Sequence, residues 1–194
     1  MTAILQQLSR DDLCTLWRDR MPQDFPKEEI KPLLLLLSLY DRGQNRTFAL
    51  TDGGETLAYA ILEVPDRGDV WLLDYLAVSS AARGRGLGSR VLSLLPAVLP
   101  DARAVMAEIE RIDCAPDANA LEVRTRRKRF YLRNGLRETG VFTRADGGID
   151  YEILSLACRS HAVRADAADA MENIYSTFFR PGEYTILSPE PACL

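Results

Sequence analysis

LAVSSAARGRGLGSRVL, residues 76–92, joins a strand-like run, a short polar turn, three glycines and an amphipathic helix in one stretch of the chain. The first turn of a helix has backbone N–H groups without intrahelical partners, and the helix dipole is positive at that end. A strand that leads through glycines into such a helix therefore favours an anion site. A phosphate group is the expected ligand.

The spacing of these glycines excludes two common nucleotide-binding loops. The pattern G-x-G-x-x-G needs a glycine at position 89, where the chain has Ser89, and a P-loop ends in Gly-Lys-Ser or Gly-Lys-Thr. Side chains in place of the glycines would collide with a pyrophosphate drawn onto the backbone amides, while Arg83 and Arg85 add positive charge from the rim. The alternative is a glycine-rich turn with two solvated arginines.

Two motifs connect this loop with a known family. Arg83, Gly86 and Gly88 form the pattern R-x-x-G-x-G directly after the run LDYLAV. This pattern, the later motif RFYLRNGL and the predicted order of helices and strands make most of the chain resemble the GNAT acyltransferase superfamily. Tyr131 and Gly135 match the Y-x-x-x-G-F pattern of that family, with leucine at the phenylalanine position. The resemblance implies an α/β (α+β) fold, in which helices flank a mixed, mostly antiparallel central sheet.

The resemblance also implies an enzyme, an N-acetyltransferase that uses acetyl-CoA as co-substrate and no metal. The acetyl group would pass directly to a primary amine of a small molecule or peptide within a ternary complex. The pantetheine arm would run along the strand that ends at residues 76–78, and the strand at 104–112 would splay away to admit the thioester. The expected cofactor-binding residues are Leu76, Ala77, Val78, Arg83, Gly84, Arg85, Gly86, Leu87, Gly88 and Ser89.

Direct transfer needs a neutral amine, and an alkyl ammonium with a pKa of about 10.4 is mostly protonated at neutral pH. A base, or a water chain to one, is therefore required. Asp74 is an unusual polar residue in WLLDYLAV, on the same strand face as Leu76, and is one candidate. Glu108, near the middle of AVMAEIERI, is the second, ahead of Glu110 on the same face. Each carboxylate can instead be a hydrogen-bonded or solvated structural residue.

Tyr131 is the candidate general acid, because the Y-x-x-x-G spacing places it where the family commonly holds one. A phenol with a pKa of about 10 can protonate the leaving thiolate, whose parent thiol has a pKa of about 8.5. The alternative role is a core tyrosine that packs beside Phe130.

Composition bounds the remaining possibilities. The chain has 194 residues, 47% of them hydrophobic and 27% charged, which predicts a single folded domain over 1–194. The four cysteines form no C-x-x-C pair, and His161, the only histidine, is assigned no role, so no metal site is expected. The longest apolar run, PLLLLLSLY, is too short to cross a bilayer, and we expect a reduced, cytoplasmic protein without membrane contact.

Hydrophobic periodicity and turn residues predict the element order ααβββαβαββα. A C-terminal helical extension, 160–194, would cover the acceptor site or form a homodimer. The helices are predicted at 9–20, 28–41, 89–99, 120–134 and 166–179. Pro96 should kink or end the helix at 89–99. The strands are predicted at 46–52, 56–64, 69–78, 104–112, 137–145 and 149–157.

The helix before Gly135 and the segment after it are strongly basic. Some of these side chains could reach CoA phosphates or an acidic acceptor, and the rest are expected to be solvated. They are Arg124, Arg126, Arg127, Lys128, Arg129, Arg133 and Arg137.

Two alternative functions stay open. The first is an acyl-CoA-sensing module without turnover. The second is nucleic-acid binding by this basic segment, against which the net charge of −4 and the pI near 5.2 argue.

Overall fold

The computed structural model describes residues 4–145, 147–159 and 166–187. The strands are β1 (Ile4–Gln7), β2 (Asn45–Asp52), β3 (Glu55–Glu63), β4 (Val70–Val78), β5 (Ala104–Glu110), β6 (Arg137–Ala145), β7 (Ile149–Ala157) and β8 (Thr185–Leu187). The helices are α1 (Arg10–Asp19), α2 (Met21–Asp24), α3 (Leu33–Asp41), α4 (Leu87–Val98), α5 (Ala118–Arg133) and α6 (Ala167–Phe178).

The strands are hydrogen-bonded in the order β1-β2-β3-β4-β5-β7-β6-β8. The pairs β1–β2, β2–β3, β5–β7, β6–β7 and β6–β8 are all antiparallel. This confirms the predicted α/β fold with a mostly antiparallel central sheet flanked by helices. None of the helices in the described part of the chain has the length and apolar character that crossing a membrane requires.

Local sequence signals account for some of the element boundaries and not for others. Ser9 caps α1, since its hydroxyl accepts from the Asp12 N–H while the Asp12 carboxylate accepts from the Ser9 N–H. The predicted helix over 28–41 is wrong at its start, because residues 27–29 form a 3-10 turn and Pro32, in extended backbone, delays α3 to Leu33. Pro96 does not end α4, which continues to Val98. The strands β1 and β8 and the helix α2 were not predicted.

By their internal contacts, residues 4–64 and 73–99 form one compact unit. Its core joins α1–α3 to strands β2–β4 through buried side chains that include Leu13, Leu36, Ile61 and Tyr75. The apolar side chains of α3 are divided, since Leu36, Leu37 and Leu39 are buried while Leu34 is 80% exposed. This unit carries the glycine loop.

Residues 65–72 and the described residues from 100 onward form the second compact unit. In its core, α6 packs on the sheet through Met171, Ile174 and Tyr175, which lie with Met106 of β5 and Ile153 of β7. The predicted C-terminal helix is therefore confirmed as α6. The parts of the proposed extension at 160–165 and 188–194, and with them His161, lie outside the described residues.

Candidate active site

The loop at residues 83–86 owes its shape to two glycines in the left-handed region of backbone conformation. Gly84 has φ +77° and Gly86 has φ +74°, and both are exposed. L-residues with a side chain adopt such angles only at a cost. A Cβ at either glycine would meet no protein atom within 4 Å, so the space over the loop is open. Gly88, by contrast, is buried in the first turn of α4.

The first turn of α4 presents unpaired backbone donors. The first intrahelical bond runs from the Arg90 N–H to the Gly86 carbonyl oxygen at 3.0 Å. The amides of Leu87, Gly88 and Ser89 therefore have no backbone acceptor within the described residues. These three amides and the positive end of the helix dipole lie where the sequence predicts an anion site.

Asp74 lies in a cluster that the sequence does not predict. The Lys31 ammonium is 2.8 Å from Asp74 Oδ2 and 2.5 Å from Glu63 Oε1. The Glu63 and Asp74 side chains are only 2% and 15% exposed. Burial alone lowers the pKa of Lys31, but the two carboxylates outweigh it and raise the pKa above its ordinary value. Lys31, Glu63 and Asp74, named here the Lys31 triad, therefore include a permanent cation at neutral pH.

Hydrogen bonds to the backbone hold the segment that carries Lys31. The Tyr75 hydroxyl donates to the Glu29 carbonyl oxygen at 2.7 Å and accepts from the Lys31 N–H at 3.0 Å. Trp17 Nε1 donates to the Lys31 carbonyl oxygen at 2.9 Å. Asp74 is thus a fixed, ion-paired carboxylate. The only sequence signal for Lys31 is its position directly before the apolar run at 32–37, and a lysine that is buried there must find a partner.

Glu108, the other candidate base, is tied to α6. The Tyr175 hydroxyl donates to Glu108 Oε1 and also lies 2.8 Å from Thr143 Oγ1. Tyr175 and Thr143 are fully buried. Glu108 is therefore a partly buried, hydrogen-bonded carboxylate and not a solvated one. Sequence reasoning missed Tyr175, whose position on the apolar stripe of α6 predicts burial but no partner.

Tyr131 lies in the last turn of α5, and the spacing to Gly135 has a structural reason. Gly135 takes φ +92° and ends the helix, and the Leu136 N–H then donates back to the Tyr131 carbonyl oxygen at 3.2 Å. The Tyr131 ring packs against Phe130 with centroids 5.3 Å apart, as the packing alternative expects. Burial raises the pKa of the Tyr131 phenol, and Arg127 partly offsets the increase. The phenol is therefore protonated at neutral pH.

Three basic side chains of α5 are paired with carboxylates of the sheet. Arg124 and Arg127 contact Glu110 at 2.7 and 3.1 Å. Lys128 is 2.6 Å from Glu138 and 2.7 Å from Glu152. Because these charges are neutralised internally, the basic segment offers less positive surface to a nucleic acid than its sequence suggests.

The predicted site residues are divided between the two compact units. The glycine loop, residues 76–78 and Asp74 belong to the first unit, and Glu108 and Tyr131 belong to the second. Within the described residues, no group of three or more His, Cys, Asp or Glu side chains could hold a metal ion. The residues found by structure alone are Lys31, Glu63, Thr143 and Tyr175.

Comparison with known proteins gives one match by sequence pattern. Residues 10–134 match the model of the acetyltransferase (GNAT) family. The match includes the glycine loop, Asp74, Glu108 and Tyr131, and it ends before β6. No curated protein shows significant sequence similarity to this chain.

Solved structures show the same fold at low sequence identity. A protein from Bacteroides thetaiotaomicron, assigned to the GNAT family, is 20% identical, with a TM-score of 0.70 over 91% of this chain and 98% of that one. The ribosomal-protein-S18-alanine N-acetyltransferase of Escherichia coli is 20% identical, with a TM-score of 0.54 over 84% and 97%. An acetyltransferase from Salmonella typhimurium, solved with acetyl-CoA, is 15% identical, with a TM-score of 0.58 over 84% and 98%.

Proposed function

Because the chain belongs to the acetyltransferase (GNAT) family, whose model matches more than half of its length, we propose that it transfers the acetyl group of acetyl-CoA to a primary amine. The observation that carries this proposal is the first turn of α4, where three amides without backbone acceptors follow two left-handed glycines. These amides suit the pyrophosphate of acetyl-CoA, and the open space above the loop admits it. The exposed Arg83 and Arg85 add positive charge at its rim.

The same-fold protein that was solved with acetyl-CoA supports this donor. On the proposed path, residues 76–78 offer main-chain groups to the pantetheine arm, beside the loop that holds the pyrophosphate. The chain then needs no metal, since backbone amides and arginines supply the positive potential.

In the proposed reaction, the neutral nitrogen of the acceptor attacks the thioester carbonyl carbon. A C–N bond forms, the C–S bond breaks, the nitrogen loses one proton to a base, and the departing thiolate gains one proton from an acid. Tyr131 is the proposed acid, because burial raises the pKa of its phenol and keeps it protonated at neutral pH.

Glu108 is the proposed base. Asp74 would have to give up its ion pair with Lys31 in order to accept a proton, and that pair is largely shielded from water. Glu108 accepts a hydrogen bond from a phenol at Oε1. In this proposal Asp74 holds the Lys31 triad together, and Glu108 takes the proton of the amine.

The experiment is a free-thiol release assay with acetyl-CoA and a panel of polyamines, aminoglycosides and peptides with a free amino terminus. We expect turnover with at least one class of amine. Glu108→Gln and Tyr131→Phe should each lower kcat by about 100-fold or more, as expected for loss of an acid or base. Acetyl-CoA affinity, measured by titration calorimetry, should stay within about twofold of wild type.

Asp74→Asn separates the two candidate bases. If Glu108 is the base, Asp74→Asn lowers the free energy of unfolding but reduces kcat much less than Glu108→Gln does. The opposite order of kcat values would assign the base to Asp74. Acetyl-CoA binding without thiol release from any amine would favour the sensing module instead.

A further inference from the structure

The C-terminal helix carries a tyrosine that packing alone does not explain. Tyr175 is fully buried, and its ring lies 5.1 Å from that of Phe179 and 5.0 Å from that of Tyr184, centroid to centroid. A phenylalanine would fill the same space among these aromatic rings. The hydroxyl is the part of the side chain that needs a reason, because a buried hydroxyl costs free energy unless it is hydrogen-bonded.

The Tyr175 hydroxyl joins two other elements of the second unit. It donates its one proton to the carboxylate of Glu108 on β5. The Thr143 hydroxyl on β6, 2.8 Å away, must therefore be the donor in its bond to the Tyr175 oxygen. The result is a directed chain of hydrogen bonds from Thr143 through Tyr175 to Glu108.

Polar contacts at both ends of α6 hold the helix in place around these hydrogen bonds. The guanidinium of Arg103 lies 2.7 Å from Asp166, which precedes the first residue of α6, and 3.1 Å from Asp69. Near the other end of the helix, Thr177 Oγ1 accepts from the Asp66 N–H at 3.3 Å. The helix that delivers Tyr175 is thus fixed within its unit, as a positioning role requires.

We propose that Tyr175 is a positioning residue for Glu108, and that α6 is therefore part of the catalytic site although it lies beyond residue 134, where the family match ends. This inference rests on the proposed function, in which Glu108 is the base. The phenol holds the carboxylate in one orientation, and Thr143 holds the phenol. Tyr175 itself touches neither the acceptor nor acetyl-CoA in this proposal.

The test is Tyr175→Phe, which keeps the ring and removes the hydroxyl. We expect kcat to fall by about 10- to 100-fold, while the KM values for acetyl-CoA and the amine stay within about twofold. Tyr184→Phe is the matched control, because it removes a hydroxyl of the same aromatic cluster that donates to Glu172 and not to Glu108. The control should leave kcat unchanged.

A double-mutant cycle separates positioning from a general loss of structure. If Tyr175 acts through Glu108, then Tyr175→Phe has no further effect on kcat in the Glu108→Gln background. An equal effect in both backgrounds would overturn the inference, as would a kcat for Tyr175→Phe equal to that of Tyr184→Phe. Wild-type protein without thiol release would refute the proposed function, whereas active wild type with an unaffected Tyr175→Phe variant refutes only the role of Tyr175.

If Tyr175→Phe does not fold, 3,5-difluorotyrosine at position 175 keeps both the ring and the hydroxyl. The more acidic phenol stabilises the negative charge on Glu108 and makes it a weaker base. We expect kcat to fall by about threefold or more with this residue at position 175 and to stay unchanged with it at position 184. Equal kcat values at the two positions would contradict the inference.

Discussion

Replacing Gly86 with alanine separates the conformational need for glycine from its proposed role in binding. An L-residue at φ +74° costs about 1–2 kcal/mol. The new Cβ meets no protein atom within 4 Å, so no steric cost adds to this figure. For a chain of this size the melting temperature should fall by about 2–8 °C.

Gly86→Ala should also weaken acetyl-CoA binding, which the loss of stability alone does not explain. The added methyl group occupies the open space through which a pyrophosphate reaches the amides of Leu87–Ser89. Loss of one hydrogen bond to a charged group costs about 1.5–3 kcal/mol. This corresponds to binding about 10- to 150-fold weaker. Titration calorimetry with acetyl-CoA measures it directly.

Gly43→Ala is the matched control. Gly43 has φ +75°, and a Cβ there also meets no protein atom within 4 Å, so the strain should be the same. Gly43 follows α3 and has no place in the proposed site. The control should therefore lose the same stability and keep its acetyl-CoA affinity. Equal affinities of the Gly86→Ala variant and wild type, or equal weakening in both variants, would refute the assignment of the loop.

Three further predictions concern charge and protonation. Lys31→Met removes the cation from its triad and should lower the free energy of unfolding by about 3–5 kcal/mol in urea denaturation. Lys27→Met, an exposed lysine in the same segment, should change it by less than about 0.5 kcal/mol, and equal effects would contradict the triad's role. The hydrogen bond from Arg144 lowers the pKa of Asp150, so Asp150 contributes stability above about pH 4 that is lost as the pH falls through its lowered pKa. The melting temperatures of wild type and Asp150→Asn should therefore converge below about pH 4, and a gap that widens there would contradict the sign. Because the pKa of the Tyr131 phenol is raised, the phenol should keep its proton, and kcat should not decline for that reason, below about pH 10. A decline of kcat below that pH that is absent in Tyr131→Phe would argue against the raised pKa.

Local sequence signals were sufficient where a short stretch determines its own structure. The Ser9 cap of α1, the left-handed Gly135 after α5 and the turn residues between β2, β3 and β4 all act over a few residues. The elements predicted at 9–20, 120–134, 46–52, 56–64 and 69–78 were confirmed. The strands β1 and β8 escaped prediction because four and three residues are too short to show a period, and pairing with distant strands defines them.

In the candidate site, too, local features could be predicted from the sequence and contacts between distant residues could not. Local sequence was enough to predict an anion-binding loop, because both left-handed glycines and the amides without backbone acceptors lie within a few residues of each other. Binding of an anion there stays a prediction. The partners of the two candidate bases are distant in sequence. Lys31 is 43 residues from Asp74, and Tyr175 is 67 residues from Glu108. No local pattern encodes such contacts, so the sequence could propose two bases but could not choose between them.

The most direct test of the central claim is amide NMR of the full chain during titration with acetyl-CoA. If the loop holds the pyrophosphate, the amide protons of Leu87, Gly88 and Ser89 should shift downfield together and saturate with the calorimetric affinity. Pantetheine, which has no phosphate, should leave them unchanged. Saturable acetyl-CoA binding without movement of these three signals would contradict the account.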